Sequence, residues 1–316
     1  MARSLLAVRR MKLHLALIAL AGCQIFPEQK PNGQLNLAIF TWEDDTSVPI
    51  ENAAQGGATT TISAQLPAGR TFSSVTSSHP EVAAFSMGQF GVNVTTGLAG
   101  DSDLSLLDAS GALIDRVTVH VVPTATLDYK RPWTGATPQI LAGAVQEFQV
   151  TTLDASGKVT EGTGSVTFSW SGSIREATDD ELLAAAEMGE ASIVTVGDSK
   201  TMIGQVGSGT IAASCPSAEA SLDVSIVPVS AITSVVLHDL GSSNGQVKVE
   251  AIASTADGPV YGAHCAWTSG GQAVGGGSII RSLLDPPGEQ LELYPQQRTN
   301  LTCTIGSASA TITITP

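Results

Sequence analysis

The sequence predicts an all-β chain: three β-sandwiches in tandem behind an export segment, with one short helix inserted in the second. Three observations lead there. Short runs of Val, Ile, Leu and Thr alternate with polar residues at period two, as strands with one buried face do. Clusters of Gly, Asp and Ser separate these runs at turn-like intervals. Three of the runs end alike, alternating up to a proline that cannot continue a hydrogen-bonded ladder.

The N-terminal segment has three regions. Arg3, Arg9, Arg10 and Lys12 are positive, Leu13 to Leu20 is apolar apart from His14, and Leu20-Ala21-Gly22-Cys23 closes the run. This is the layout of a secretory signal. The apolar run is too short for a membrane span, which needs about 20 residues. Residues 1–22 therefore read as a removable signal, with Met11 an alternative start. Leu20 to Cys23 resembles the bacterial lipobox. That resemblance implies cleavage before Cys23, a diacylglycerol on its thiol and a lipid-held membrane anchor. Gln24 in place of Asp implies the outer membrane. Residues 23–34, with Pro27 and Pro31, read as a flexible tether.

Val117, Val119 and Val121 alternate up to Pro123; Leu222, Val224 and Ile226 up to Pro228; Ile312 and Ile314 up to Pro316. These are the expected last strands of sandwiches over residues 35–123, 124–229 and 230–316. The proline spacings of 105 and 88 residues suit sandwiches of about 100 residues. Inside the second segment Phe148, Val150 and Thr152 alternate, Asp154-Ala155-Ser156-Gly157 turns, and Phe168-Ser169-Trp170 follows. In the third, Val247 and Val249 alternate, Ala256-Asp257-Gly258 turns, and Cys265-Ala266-Trp267 follows. Asp108-Ala109-Ser110-Gly111 repeats the turn in the first segment. Asp caps its own backbone and Gly accepts positive φ, so both favour such turns. One stretch departs from the β pattern. Thr178 with Glu181 makes a capping box ahead of Leu182 to Met188, and Gly189 stops the run. It predicts a short helix that covers a sheet edge or docks a partner.

Leu153 to Val159 followed by Val166 to Trp170 resembles the bacterial immunoglobulin-like domains of surface adhesins. Ala256 to Gly262 with Trp267-Thr268-Ser269 is similar, and Ser77 to Ala83 resembles a strand-crossing stretch of another group of such domains. The resemblance spans roughly residues 35–316 and implies immunoglobulin-like sandwiches with an adhesive or scaffolding role. The first segment departs most, having no tryptophan equivalent to Trp170 and Trp267.

Cys303 and Cys215 each lie 13 residues before a terminal proline, and alignment on the tryptophans sets Cys265 opposite Phe168. A Cys265–Cys303 disulfide is therefore expected, the alternative being two buried thiols, with Cys215 a buried free thiol or, failing that, an intermolecular partner. Gly241-Ser242-Ser243-Asn244-Gly245 matches G-x-S-x-G, but strand residues follow where a nucleophile elbow needs a helix, so it reads as a hairpin turn. His79, His120, His238 and His264 lack zinc-ligand spacing.

Two weak binding candidates remain. Tyr129-Lys130-Arg131-Pro132-Trp133 reads as linker after the first sandwich. Tyr129, Arg131 and Trp133 are candidates to bind a glycan or acidic partner, or to pack at the junction. Trp133 in particular is expected to dock or bind rather than fill a core. Acidic clusters occur at Glu43-Asp44-Asp45, Asp101-Ser102-Asp103 and Asp179-Asp180-Glu181. Calcium prefers such oxygens, and Asp101 with Asp103 is the best pair, although no complete loop signature is present. No other cofactor is expected.

The net charge is −14, and residues 1–22 hold four of the 15 basic residues and no acidic one. The exported chain is thus more acidic still and repels phosphate backbones, so nucleic acid is not an expected partner. The expected function is non-enzymatic: a lipid-anchored envelope protein acting in adhesion or scaffolding through protein or glycan contacts. The alternative is a solute-binding or hydrolytic envelope lipoprotein with a site between domains. A spacer without any ligand is the third possibility.

Overall fold

The computed structural model describes residues 30–42, 52–89, 91–130, 137–187, 198–243, 245–274, 278–279, 288–293, 295 and 298–315. The signal segment, Cys23, most of the tether, Glu43-Asp44-Asp45, Arg131, Trp133 and Gly189 lie outside them. The described chain is all-β apart from one α-helix and one 3-10 turn. Its buried apolar residues form three large clusters, one per sandwich.

The first unit runs β1 (Ile39–Trp42), β2 (Asn52–Ala54), β3 (Thr59–Gln65), β4 (Ser74–Ser77), β5 (Ala83–Met87), β6 (Val92–Thr96), β7 (Gly100–Leu107) and β8 (Leu113–Val122). They make two four-stranded sheets, in the orders β1-β3-β6-β5 and β2-β8-β7-β4. Val117, Val119 and Val121 face inward from β8, as their alternation predicts, onto Leu104, Leu106, Ile62, Val94, Phe40 and Trp42. Each aliphatic side chain buried here contributes roughly 1.5–3 kcal/mol relative to exposure.

Asp115 shares the inward phase of those valines and is fully buried. Its carboxylate accepts the backbone N–H groups of Leu35 (2.8 Å), Leu37 (2.8 Å), Ala38 (2.7 Å) and Arg116 (2.8 Å). Burial pushes this acid up, but the four N–H donors outweigh burial and hold it below the usual carboxylate range. Gly33 lies so close that a Cβ there would sit 2.3 Å from the Asp115 carboxylate. The Asn32 amide exchanges two bonds with the Phe40 backbone, at 2.8 and 2.7 Å, and Gln34 N–H donates to the Arg116 carbonyl at 2.8 Å. Residues 32–34, expected in the flexible tether, therefore belong to the first sandwich. The bonds to Ala38, Phe40 and Arg116 hold them, and the buried Asp115 carboxylate fastens the residues that follow, Leu35, Leu37 and Ala38.

The second unit runs β9 (Thr126–Tyr129), β10 (Gln139–Leu141), β11 (Gln146–Leu153), β12 (Thr167–Glu176), α1 (Asp179–Glu187), β13 (Ser199–Cys215) and β14 (Ala218–Val227). The long β13 serves both layers: Ser199 to Met202 pair with β11, and Gly207 to Cys215 pair with β14. Leu222, Val224 and Ile226 fill the core with Phe148, Val150 and Ile211. Strand β9 takes in Tyr129, the first residue of the stretch read from sequence as linker, and β10 lies beyond that stretch; β9 pairs with β11 from Tyr129↔Val150 to Thr126↔Leu153.

The third unit runs β15 (Ser234–Ser243), β16 (Gln246–Thr255), β17 (Gly258–Tyr261), β18 (Ala266–Ser269), β19 (Gln272–Ala273), β20 (Ser278–Ile279), β21 (Glu289–Leu293), β22 (Thr299–Ile305) and β23 (Ala308–Ile314). A four-stranded sheet, β19-β18-β22-β23, packs on strands that continue the sheet of the second unit. The disulfide Cys265–Cys303 joins this sheet to the loop before β18, with Cα atoms 5.1 Å apart. Cys215 is a partly buried free thiol beside the second core. Gly241 to Ser243 end β15, and Ser242 and Ser243 pair with Val247 and Gln246 of β16, so the G-x-S-x-G stretch sits at the tip of a β-hairpin, its serines on a strand that another strand follows.

Candidate functional site: the two junctions

Among the described residues no three His, Cys, Asp or Glu side chains gather, and polar architecture lies where units meet. At the first junction, residues 161–163 of the second unit lie against β2 and β3. Glu161 N–H donates to the Asn52 carbonyl (3.0 Å), and Ala54 N–H donates to the Glu161 carbonyl (2.8 Å). Thr59 and Thr163 exchange two backbone bonds of 2.7 and 2.9 Å. Gly162 has φ +106°, and a Cβ on it would lie 2.9 Å from the Ala58 methyl, so glycine permits the close approach. Ser217 Oγ donates to the Thr124 carbonyl at 2.6 Å.

The Asp154 turn carries a further bond across this junction. Asp154 Oδ1 accepts Ser156 N–H (2.8 Å), Ser156 Oγ (2.6 Å) and Lys158 N–H (3.0 Å). Its other oxygen accepts the Asn52 amide at 3.1 Å. The Ser156 hydroxyl first, then the Lys158 N–H, bring this acid down to about 2.

The second junction is a shared sheet. β10 pairs in parallel with β14 of its own unit (Ile140↔Ile226) and with β17 of the third (Ile140↔Tyr261). Tyr261 is buried in the second core, while Leu141 and Val227 pack against the third. Buried Gln139 accepts the Thr255 hydroxyl at 2.8 Å.

The described residues also form concave surfaces, of which two are the larger. One, of about 800 Å³, opens where β12 and β13 lose register between Gly172 and Ile174. Ile203, Gln205 and Val206 line it, with Arg175 paired to Glu181 at 2.6 Å. Glu181 also closes the predicted capping box, accepting Thr178 N–H at 2.9 Å. The helix buries Ala185 against Val145 and Ala177. The second surface, of about 480 Å³, borders the first junction and is lined by Thr59, Thr60, Thr61, Ser86, Asn93, Val94, Thr95 and Thr163, none of them charged.

The sequence candidates are placed as follows. Tyr129 is not presented to a ligand. It is 2% exposed in the second core and donates its hydroxyl to the Ile211 carbonyl at 2.9 Å; burial raises its phenol. An aromatic with a polar tip is easily mistaken for a recognition residue when its strand is only four residues long. Arg131 and Trp133 fall outside the described residues. Asp101 and Asp103 both project from the outer face of β7, but each has a partner on β8. Asp101 contacts His120 Nδ1 at 2.7 Å, and Asp103 accepts the Thr118 hydroxyl at 2.7 Å. Among the described residues no three His, Cys, Asp or Glu side chains converge as a metal set. Each of these surface carboxylates has a partner on the neighbouring strand. Asp115, Asn52 and Gln139 escape sequence reasoning. For Asp115 a signal exists: it stands at the inward phase of the Val117–Val121 alternation.

No protein-family model matches this sequence, and no curated protein matches it. Among solved structures, the chain is similar to domains 4–9 of the surface layer protein SbsC, at 15% identity and a TM-score of 0.31, over 88% of this chain and 46% of that one. It is similar to invasin, a bacterial integrin-binding protein, at 13% identity and 0.27, over 88% and 59%. A three-domain titin segment gives 11% identity and 0.20, over 88% and 98%. The chain thus spans less than two thirds of the SbsC and invasin structures.

Proposed function

We propose that this chain is a non-enzymatic cell-envelope protein, held by lipid on Cys23, whose sandwiches form one connected scaffold that presents surfaces for adhesion or assembly. The observation that carries this reading is that both junctions are closed by main-chain hydrogen bonds. Loosely linked domains have few such bonds and move against each other. Units joined by backbone ladders hold a defined spacing, which is what a scaffold requires. The Cys265–Cys303 bridge supports an exported location, since such bonds persist in oxidising compartments. The uncharged hydroxyl and amide lining beside the first junction suits hydrogen bonding to a neutral glycan or peptide better than attraction of an ion.

Two measurements test this. Expressed with labelled fatty acid in a bacterial host, the chain is expected to incorporate label, and Cys23→Ser is expected to abolish it. Solution scattering of the chain from Gln24 onward is expected to fit one arrangement of the three units. Label retained in the variant would remove the anchor, and a scattering profile of independently moving domains would remove the scaffold.

A further inference from the structure

The two outer faces of the first sandwich are unlike. On the sheet of β7 and β8 the outward side chains are charged and paired with one another: Asp101 with His120, and Asp103 with Thr118 and Arg116. On the sheet of β3, β6 and β5 they carry no charge. Two rungs make up this second face. Thr61, Asn93 and Ser86 stand side by side on the three strands, and two residues along stand Thr59, Thr95 and Ala84. The second rung continues over the first junction, because Thr163 exchanges backbone bonds with Thr59. Apart from Ala84, these residues line the concavity of about 480 Å³.

The face is set in advance and left open. The side chains of Thr61, Ser86, Asn93 and Thr95 are engaged by no other described residue. Threonine is branched at Cβ and stiff at χ1, so its hydroxyl is placed before any ligand arrives. The strands space these groups about 4.8 Å apart across the sheet and, two residues on, about 6.8 Å along it. The Asn93 amide lies over the turn between β5 and β6, where a Cβ on Gly88 would come within 2.4 Å of its oxygen. Glycine there leaves the amide its position.

Each hydroxyl donates one hydrogen bond and accepts others, and the Asn93 amide does both. A ligand matched to this surface carries many donors and acceptors at regular spacing and no charge. An uncharged polysaccharide has that chemistry. Anionic polymers do not fit: the chain has a net charge of −14, and no cationic side chain lines the site. An extended peptide joins a free sheet edge through main-chain groups, whereas this lining lies on a sheet face and presents side chains. The lining holds no aromatic ring, so each sugar unit gains hydrogen bonds alone and affinity accumulates along a chain of them.

We propose that this face of the first sandwich is a binding site for an uncharged polysaccharide, completed by Thr163 of the second unit. The proposal names a ligand for the surface-presenting scaffold and rests on that reading.

The test is native electrophoresis of the chain from Gln24 onward through gels containing dextran, mannan or hydroxyethyl cellulose. Alginate serves as the acidic polymer and gelatin as the polypeptide. At least one neutral polysaccharide is expected to retard the chain. Thr61→Val with Thr95→Val removes two hydroxyls but keeps shape and strand preference, and should weaken that retardation about tenfold. Thr163→Val should weaken it as well, and Thr118→Val on the charged face should leave it unchanged. Should the double variant fail to fold, Asn93→Ala, on an exposed side chain, replaces it with the same expected direction. The proposal is overturned by no retardation in any neutral polymer, by retardation in alginate or gelatin alone, or by unchanged retardation in the folded variants. Solution scattering on the same samples separates the two readings. No retardation of a chain whose units hold one arrangement removes the polysaccharide site alone. Retardation of a chain whose units move independently removes the scaffold alone.

Discussion

The first and third units solve one problem in two ways. Each must close a two-layer sandwich whose ends are joined to other chain segments. The first uses a buried polar clamp: Asp115, Asn32 and the short parallel pairing of β2 with β8. The third uses a covalent staple between Cys265 and Cys303, and buries Cys303 completely. A carboxylate serving several N–H groups and a disulfide closing a 38-residue loop offer stabilisation of similar size. They respond to different insults, however: protonation in one case and reduction in the other.

The largest effect should come from the staple. Cys303→Ala is expected to lower the stability of the third unit by about 4 kcal/mol in the chain-entropy picture, leaving the first unit's transition in place. Calorimetry with and without reductant checks this, and equal losses in both units would dissolve the contrast. Next is the clamp. Asp115→Ala leaves the Ala38 amide buried without its acceptor and the half-buried Leu35 and Leu37 amides without theirs; a buried loss costs about 1–3 kcal/mol, so roughly 3 kcal/mol is expected in the first unit alone. Hydrogen exchange at Leu37 and Ala38 should rise with it.

Acid should separate the two units further. Asp115 sits below its ordinary range in the folded chain, so its contribution is complete above the unfolded carboxylate pKa of about 3.9. That contribution erodes as pH falls, and is lost once pH drops through the folded value. The first unit should therefore weaken on acidification more steeply than the disulfide-held third. A chevron or melting series from pH 6 to pH 2 reads the slope, and parallel slopes would argue against the clamp.

The smallest effects concern two matching turns. Asp108 and Asp154 each accept a serine N–H at 2.8 Å, its hydroxyl at 2.6 Å and a second N–H at 3.0 Å. Gly111 and Gly157 stand at φ +82° and +81° with open space around the missing Cβ. Gly111→Ala and Gly157→Ala should therefore cost the same, about 1 kcal/mol each. Asp108→Ala and Asp154→Ala should differ, because only Asp154 also receives the Asn52 amide across the first junction. Greater loss of inter-unit order in Asp154→Ala, read by solution scattering, is the expected result.

Much of this fold is legible because its signals are local. The exit strands are visible as apolar alternation stopped by Pro123, Pro228 and Pro316. The turns are visible as Asp-Ala-Ser-Gly, and the helix as the Thr178–Glu181 box. The disulfide follows from placing Cys265 and Cys303 on comparable strands. Strands β2 and β10 escape sequence reading because three residues are too few to show a period. Tyr129 is misread for the same reason: β9 gives it only three companions in its strand. Asp115 is overlooked although its phase points inward, since an acid in that position has no obvious acceptor role until its donors are known.

The sequence by itself determined the all-β class, the turn chemistry, the capped helix and the cysteine pair. These depend on neighbours within a few residues, or on a repeat that can be aligned by eye. Only the tertiary structure decided that residues 32–38 fold onto β8, that Asn52 reaches Asp154 and that β10 joins two sandwiches into one sheet. Those contacts link groups 78, 102 and about 120 positions apart. The pairing of such distant backbone groups is chosen by which surfaces the packed units bring together, and no local pattern encodes it.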